Sequence, residues 1–198
     1  MRIIAGLGNP GKEYEETRHN AGRWVLEEFR QKNKLADWSF DKKLNALISP
    51  GIIKKNKVLL VWPETFMNKS GLALKKIIVS KKKAADLIIV HDDLDLPLGK
   101  FKISFGKNSG GHKGVESIIK NIKTKEFGRI RIGIAPTTPS GKINPPAGGP
   151  KIDKHLDFLT RRFKPAELKE IKELSKKISQ ALETIITDGL QKAMNEFN

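Results

Sequence analysis

Four stretches of this 198-residue chain carry the side chains from which a hydrolytic site could be assembled. IIAGLGNPGKEYEETRHN supplies Asn9 and His19, and PETFMN supplies Phe66, Met67 and Asn68. DLIIVHDDLD supplies Asp92, with Asp93 and Asp95 close behind. SGGHKG adds a glycine-rich turn at a helix start, with backbone amides on offer from Ser109 to Lys113. A loop histidine, a strand-end aspartate and two loop asparagines suit attack by water. An imidazole with an ordinary pKa of ~6.5 can take a proton near neutrality, and a carboxylate can fix its tautomer. Asparagine amides can donate to a carbonyl oxygen as it becomes an oxyanion. The chain has no G-x-S-x-G elbow and no cysteine, so a covalent acyl-enzyme has no obvious nucleophile.

Two other chemistries compete with this one. The opening glycines fit G-x-G-x-x-G (Gly6, Gly8, Gly11) and G-x-x-x-x-G-K (Gly6, Gly11, Lys12). The triphosphate pattern then needs Ser or Thr, and Glu13 stands there. The dinucleotide pattern needs a helix starting inside the glycines, but Pro10 removes a donor and the apolar stripe waits until Ala21. What remains is a strand and a rigid loop that displays Asn9, Tyr14, Arg18, His19 and Asn20. His91, Asp92, Asp93 and Asp95 suggest a metal cluster, but neighbours on a strand point to opposite faces, and Asp93 and Asp95 read as turn and solvation residues.

The elements that must position these groups follow from apolar runs. MRIIAGL, KVLLVW, DLIIVHD and RIRIGIA read as buried strands, with LNALIS and KFKISF as less apolar companions. Helical spacing appears over residues 20 to 33, from Leu72 to Val79, and at Val115, Ile118, Ile119 and Ile122; Pro165 opens a further amphipathic helix ending near Gly189. The alternation predicts one α/β domain over residues 1–198, a mixed, largely parallel twisted sheet flanked by helices on both faces. In such sheets ligands gather beyond the carboxyl ends of the strands, where Asn9, His19, the Phe66–Asn68 segment and Asp92 all fall. The segment 137–151, rich in Pro and Gly, is expected to be a long mobile loop.

Composition narrows the partners. With 38 Lys+Arg against 22 Asp+Glu the net charge is +16, which points to a polyanion, and nucleic acid fits best. Without cysteine there are no disulfides or thiolate metal sites. The start lacks a secretory pattern and no apolar run approaches membrane-spanning length, so a cytoplasmic protein that does not engage membranes is expected.

GLGNPGKEYEETRHNAG, TFMNKSG, HDDLDLPLGK and SGGHKGVESI, in this order, resemble the signature segments of bacterial peptidyl-tRNA hydrolases, and the likeness runs from Met1 to TDGL near the end. The resemblance implies an esterase that cuts the bond between a peptide and the terminal ribose of tRNA, without metal or organic cofactor, and a monomer is expected. It implies His19 as general base, Asp92 as its supporting carboxylate, and Asn9 as the group that senses the peptide carbonyl. Tyr14, Phe66 and Asn68 match contacts to substrate or to the CCA end, Met67 matches a cleft residue, and Gly111 falls in the family's glycine turn. Lys100, Lys102 and Arg131 match cations that meet acceptor-stem phosphates.

Two departures stand out. The family writes G-G-H-N-G where this chain has Lys113 in place of Asn, and a lysine donates but cannot accept. The alternating cations after LPLG continue from Lys102 to Ser104 rather than to a third cation. Two rival readings remain: a non-hydrolysing RNA- or partner-binding homologue of the same fold, and a nucleotide-binding protein using the opening glycines. The retained Asn9, His19 and Asp92 argue against a lost active site.

Overall fold

The computed structural model describes residues 1–144 and 151–198, with backbone alone at 151–155. Among the described residues, seven strands form one sheet: β1 (Arg2–Gly6), β2 (Ser39–Asp41), β3 (Ala46–Ile53), β4 (Asn56–Pro63), β5 (Leu87–Pro97), β6 (Phe101–Phe105) and β7 (Gly128–Ala135). Their order is β2-β3-β4-β1-β5-β7-β6. The central β4, β1, β5 and β7 run parallel, and β2, β3 and β6 join antiparallel at the edges. Among the described residues, seven α-helices accompany them: α1 (Ala21–Lys32), α2 (Gly71–Leu74), α3 (Lys81–Ala84), α4 (Lys113–Ile122), α5 (Lys151–Thr160), α6 (Pro165–Thr187) and α7 (Leu190–Phe197).

Strand alternation divides the core into two layers. Ile4, Leu60, Ile88, Val90, Ile130 and Ile132 face α1 and α6, meeting Val25, Phe29, Ile178 and Leu182. Ile3, Ala5, Val61, Leu87 and Ile89 face the other way, onto Leu74, Val115 and Ile118 of α2 and α4. The expected architecture, helices on both faces of a mixed sheet, is the one observed. Since β4 and β5 flank β1 on opposite sides, the connections after all three strands open at one edge of the sheet, where a crevice forms. Gly22 lets α1 enter that edge closely. A Cβ there would lie 2.2 Å from the Val90 carbonyl oxygen, so any larger residue would push back the helix that follows His19.

Three elements differ from the sequence reading. The stripe Leu72–Val79 is helical only to Leu74, because the β-branched run Ile77-Ile78-Val79 resists a helix and the chain turns toward Ser80, which caps α3. Gly189 ends α6 but also opens α7, whose Leu190, Ala193, Met194 and Phe197 repeat at helical spacing and pack on the core. Of the expected loop at 137–151, residues 137–144 form a tight turn in which Thr137 pairs with Ile143 and the Thr138 amide donates to Lys142. Lys151 already belongs to α5, and the expectation of mobility falls largely on 145–150, outside the described residues. Among the described residues, no helix is long and apolar enough to cross a membrane.

Candidate active site

His19 sits on a short 3-10 turn, Arg18–Asn20, between the glycine loop and α1, and Asp92 lies on β5. Both are buried, at 5 % and 2 % exposure. His19 Nδ1 approaches both Asp92 oxygens, at 3.0 and 2.9 Å, so it carries the proton and donates. Nε2 is thereby left as the lone-pair nitrogen. A second imidazole completes the arrangement. His112 caps α4 by accepting the Gly114 and Val115 amides on Nδ1, so its proton is on Nε2, which donates to Asp92 Oδ1 at 2.9 Å. The carboxylate thus holds two rings, whose centroids are 5.1 Å apart.

The electrostatics follow from this sharing. Burial alone would raise the Asp92 pKa, but His19 and His112 outweigh it and hold the carboxyl well below the usual carboxylate range. Burial alone would lower the His19 pKa; the Asp92 charge and hydrogen bond win, and the net direction is upward. His91 is fully buried, and burial with the neighbouring His112 pushes it well below the ordinary histidine value. Its Nδ1 donates to the Asp92 carbonyl at 2.7 Å and its ring meets His112 edge-on at 4.6 Å, backing the second imidazole. His91 and Asp92 do lie on opposite faces of β5, as strand alternation requires. His19, Asp92 and His112 also offer three ligand atoms within 4.8 Å of one another, but a cation there would have to displace the protons that both rings already share with Asp92.

Asn9 is locked from two sides. Its Oδ1 accepts the Met67 amide at 2.8 Å, which leaves its NH2 group as the free end. Asn20 clamps the Asn9 backbone, accepting its amide at 2.8 Å and donating to its carbonyl at 2.9 Å. Met67 is buried beneath Gly114, where a Cβ would stand 2.5 Å from its sulfur. Phe66, though large and apolar, is 55 % exposed, and Asn68 is exposed beside it. Tyr14 is half-buried on the turn Lys12–Tyr14.

A cleft of about 510 Å³ opens over His19 and Asp92. Gly110, Gly111, Lys113 and Leu94 line it, and α5 contributes Leu156 and Leu159. Gly110 and Gly111 have φ of 64° and 83°, a region that favours glycine, so the turn bends over the site without side chains. The amides of this turn are less available than expected: Gly111 donates to Ser109 Oγ and His112 to the Ser109 carbonyl. Lys113 reaches Glu116 at 3.1 Å, one turn further along α4.

A second cleft of about 410 Å³ adjoins the first, sharing Asp93, Ser109 and Gly110. Lys102 and Arg131, cross-strand partners on β6 and β7, line it with Lys107 and Arg129. Arg131 donates to Asp93 Oδ2 at 2.5 Å while Asp93 Oδ1 accepts the Asp95 amide at 2.8 Å, so Asp93 is an ion-pair partner as well as the turn residue expected from sequence. Lys100 is exposed at the turn before β6. The structure therefore brings His19, Asp92, Gly111 and Lys113 to one cleft and Lys102 and Arg131 to the next. Among the described residues, Asn9, Tyr14, Phe66, Met67, Asn68 and Lys100 line neither. Sequence reasoning gave His112 no role, although a histidine directly before a helix start was an available signal, and it read Asn20 as displayed by the loop, whereas Asn20 is buried against the Asn9 backbone.

The family model described as peptidyl-tRNA hydrolase matches residues 3–198. The chain is similar to the peptidyl-tRNA hydrolase of Dehalococcoides mccartyi, at 41 % identity over the full length of both chains. It is 38 % identical to that of Bacillus subtilis, covering 100 % of this chain and 98 % of the relative. A crystal structure of the Acinetobacter baumannii peptidyl-tRNA hydrolase superposes with a TM-score of 0.86 at 28 % identity, covering 100 % of this chain and 94 % of the other. With a match of this extent, the chain belongs to the peptidyl-tRNA hydrolase family, a family of carboxylic ester hydrolases.

Proposed function

We propose that the protein hydrolyses the ester joining a peptide to the terminal ribose of tRNA, using water activated by His19. The observation that carries this reading is the commitment of His19 Nδ1 to Asp92, which leaves Nε2 as a lone pair at the cleft. Water placed between Nε2 and the ester carbonyl gives up a proton to His19 as its oxygen bonds to the carbonyl carbon. Asp92 stabilises the resulting imidazolium, and the His112 hydrogen bond keeps the carboxylate aligned. Collapse of the tetrahedral intermediate breaks the bond to the ribose oxygen, which takes the proton back from His19. Free tRNA and an N-blocked peptide leave.

Asn9 is oriented for recognition, since its NH2 group is the end left free by Met67. It donates to the peptide carbonyl, an acceptor that an unblocked aminoacyl ester lacks, and Asn68 assists at the ester. Tyr14 and Phe66 offer ring faces to the bases of the CCA end, Met67 and Gly111 shape the cleft, and Lys113 adds a cation at its rim. Lys102, Arg131 and Lys100 meet acceptor-stem phosphates in and beside the second cleft. The +16 charge supports such a partner. We take the working location to be the cytoplasm, where this substrate arises, and the working form to be a monomer.

The test is release of the acyl group from N-acetyl-aminoacyl-tRNA, with the unblocked aminoacyl-tRNA as control. Cleavage of only the blocked substrate is expected; tight tRNA binding without cleavage would contradict the proposal.

A further inference from the structure

Arg18 precedes His19 on the same turn and is 4 % exposed, yet the hydrolytic step makes no use of it. Its guanidinium turns away from the cleft into the junction between α5 and α6. Nη1 donates to the carbonyls of Arg161 at 3.2 Å and Arg162 at 2.8 Å, and Nη2 donates to Glu167 at 2.6 Å. The rings of Phe158 and Phe163 lie 4.4 and 5.3 Å from its central carbon. Backbone pairing runs alongside: the Arg18 amide donates to Arg161, the Phe163 amide to Glu16, and Thr17 bridges Arg162.

These contacts bind the turn that carries the base to the helix that walls the cleft. α5 places Leu156 and Leu159 at the cleft, and Leu156 is 58 % exposed, a large apolar side chain left open where an acyl chain would lie. A buried cation is costly unless its charge is compensated, and here a carboxylate, two carbonyls and two ring faces meet the guanidinium, with Nε alone left without a partner. The fork geometry matters, because a lysine ammonium cannot span both carbonyls and the carboxylate in one plane. Glu167 contributes twice, since it also accepts the Lys164 amide at 2.6 Å and so caps α6.

We infer that Arg18 is a positioning residue that sets the Leu156 and Leu159 wall at a fixed distance from His19, so that the enzyme grips apolar peptide chains while its base stays in register. The inference rests on the hydrolase reading above. Its contribution falls on binding of the peptide portion rather than on proton transfer.

The experiment compares wild type, Arg18→Met, Arg18→Lys and Glu167→Gln on two substrates: N-acetylglycyl-tRNA and a tRNA carrying an N-blocked leucine tripeptide. Arg18→Met is expected to raise KM for the leucine substrate about tenfold, with kcat, the glycyl substrate and the midpoint of the acidic pH limb nearly unchanged. Arg18→Lys recovers part of the loss. Glu167→Gln shifts KM the same way by less, because its amide oxygen still caps α6. Hydrogen exchange should quicken at amides 156–160 in the Met variant and stay unchanged in α1. Equal losses on both substrates, a displaced pH limb, or unaltered KM and exchange would overturn the inference. Should Arg18→Met fail to fold, Glu167→Gln decides: unaltered KM and exchange in that variant overturn it too. Wild type cleaving neither substrate would instead refute the hydrolase reading.

Discussion

The two neighbouring clefts solve different physical problems. Around His19, each nitrogen that faces Asp92 carries a proton to it, the carboxylate is 2 % exposed, and one lone pair remains to meet solvent. Around Arg131, the cations Lys102, Lys107 and Arg129 share one open groove, and Asp93 offsets part of the charge of Arg131. The first site gains from fixed dipoles in a dry setting, where small displacements are costly. The second gains from summed charge that acts over about 10 Å at ordinary salt, and it tolerates the loss of single members. Substitutions in the first cleft should therefore change the rate, and those in the second should change affinity and its dependence on salt.

The largest effect is expected from His19→Ala. Removing the base should lower kcat by about 10³ to 10⁴-fold, read in a single-turnover cleavage assay. Asp92 is buried and would lose one of its two donors. A thermal or denaturant melt should show a loss of about 1–3 kcal/mol. Unchanged turnover would mean the base is wrongly assigned.

Asp92→Asn comes next, with an expected loss of about 10² to 10³-fold in kcat. Asparagine cannot stabilise the imidazolium, and the acidic limb of the pH profile should move to lower pH. The sign follows from the charge: Asp92 raises the His19 pKa, so removing the charge lets burial lower it. A limb that moves upward would contradict the electrostatic account.

His112→Asn separates the second ring from its capping role, because an asparagine oxygen can still accept the α4 amides. Loss of the donor to Asp92 should cut kcat by about tenfold with little change in KM, and should lower stability by about 1–3 kcal/mol, as in His19→Ala. If kcat is unaffected, the second imidazole serves only the helix.

The smallest effect on chemistry belongs to the basic groove. Arg131→Gln should raise KM several-fold, leave kcat within about twofold, and flatten the log–log slope of tRNA binding against salt by about one unit. A fall in kcat with an unaltered salt slope would erase the contrast between the clefts.

The sequence was most readable where one physical rule acted alone. The strands showed as uninterrupted apolar runs because both faces of the central sheet are covered, and their carboxyl ends pointed to Asn9, His19 and Asp92. The short α2 was overestimated because apolar spacing outlasts the helix when β-branched residues crowd its end. His112 was not legible because its bond to Asp92 exists only once a glycine turn folds back over β5, 20 residues from its partner. The pairing of Arg131 with Asp93 depends on the register of β5 and β7, which no local pattern encodes. Likewise nothing near Arg18 announces Glu167, its carboxylate partner across the junction.

The measurement that bears most directly on the account is single-turnover cleavage of an N-blocked aminoacyl-tRNA as a function of pH, at saturating enzyme. Only the neutral imidazole can accept the proton from water, and the Asp92 charge and hydrogen bond together outweigh burial in setting the His19 pKa. The rate should therefore climb through one ionisation whose midpoint lies above the ordinary ~6.5 of a free histidine. That limb should vanish in His19→Ala. A wild-type rate that is flat through this range, or a limb that persists in the variant, would contradict activation of water by His19.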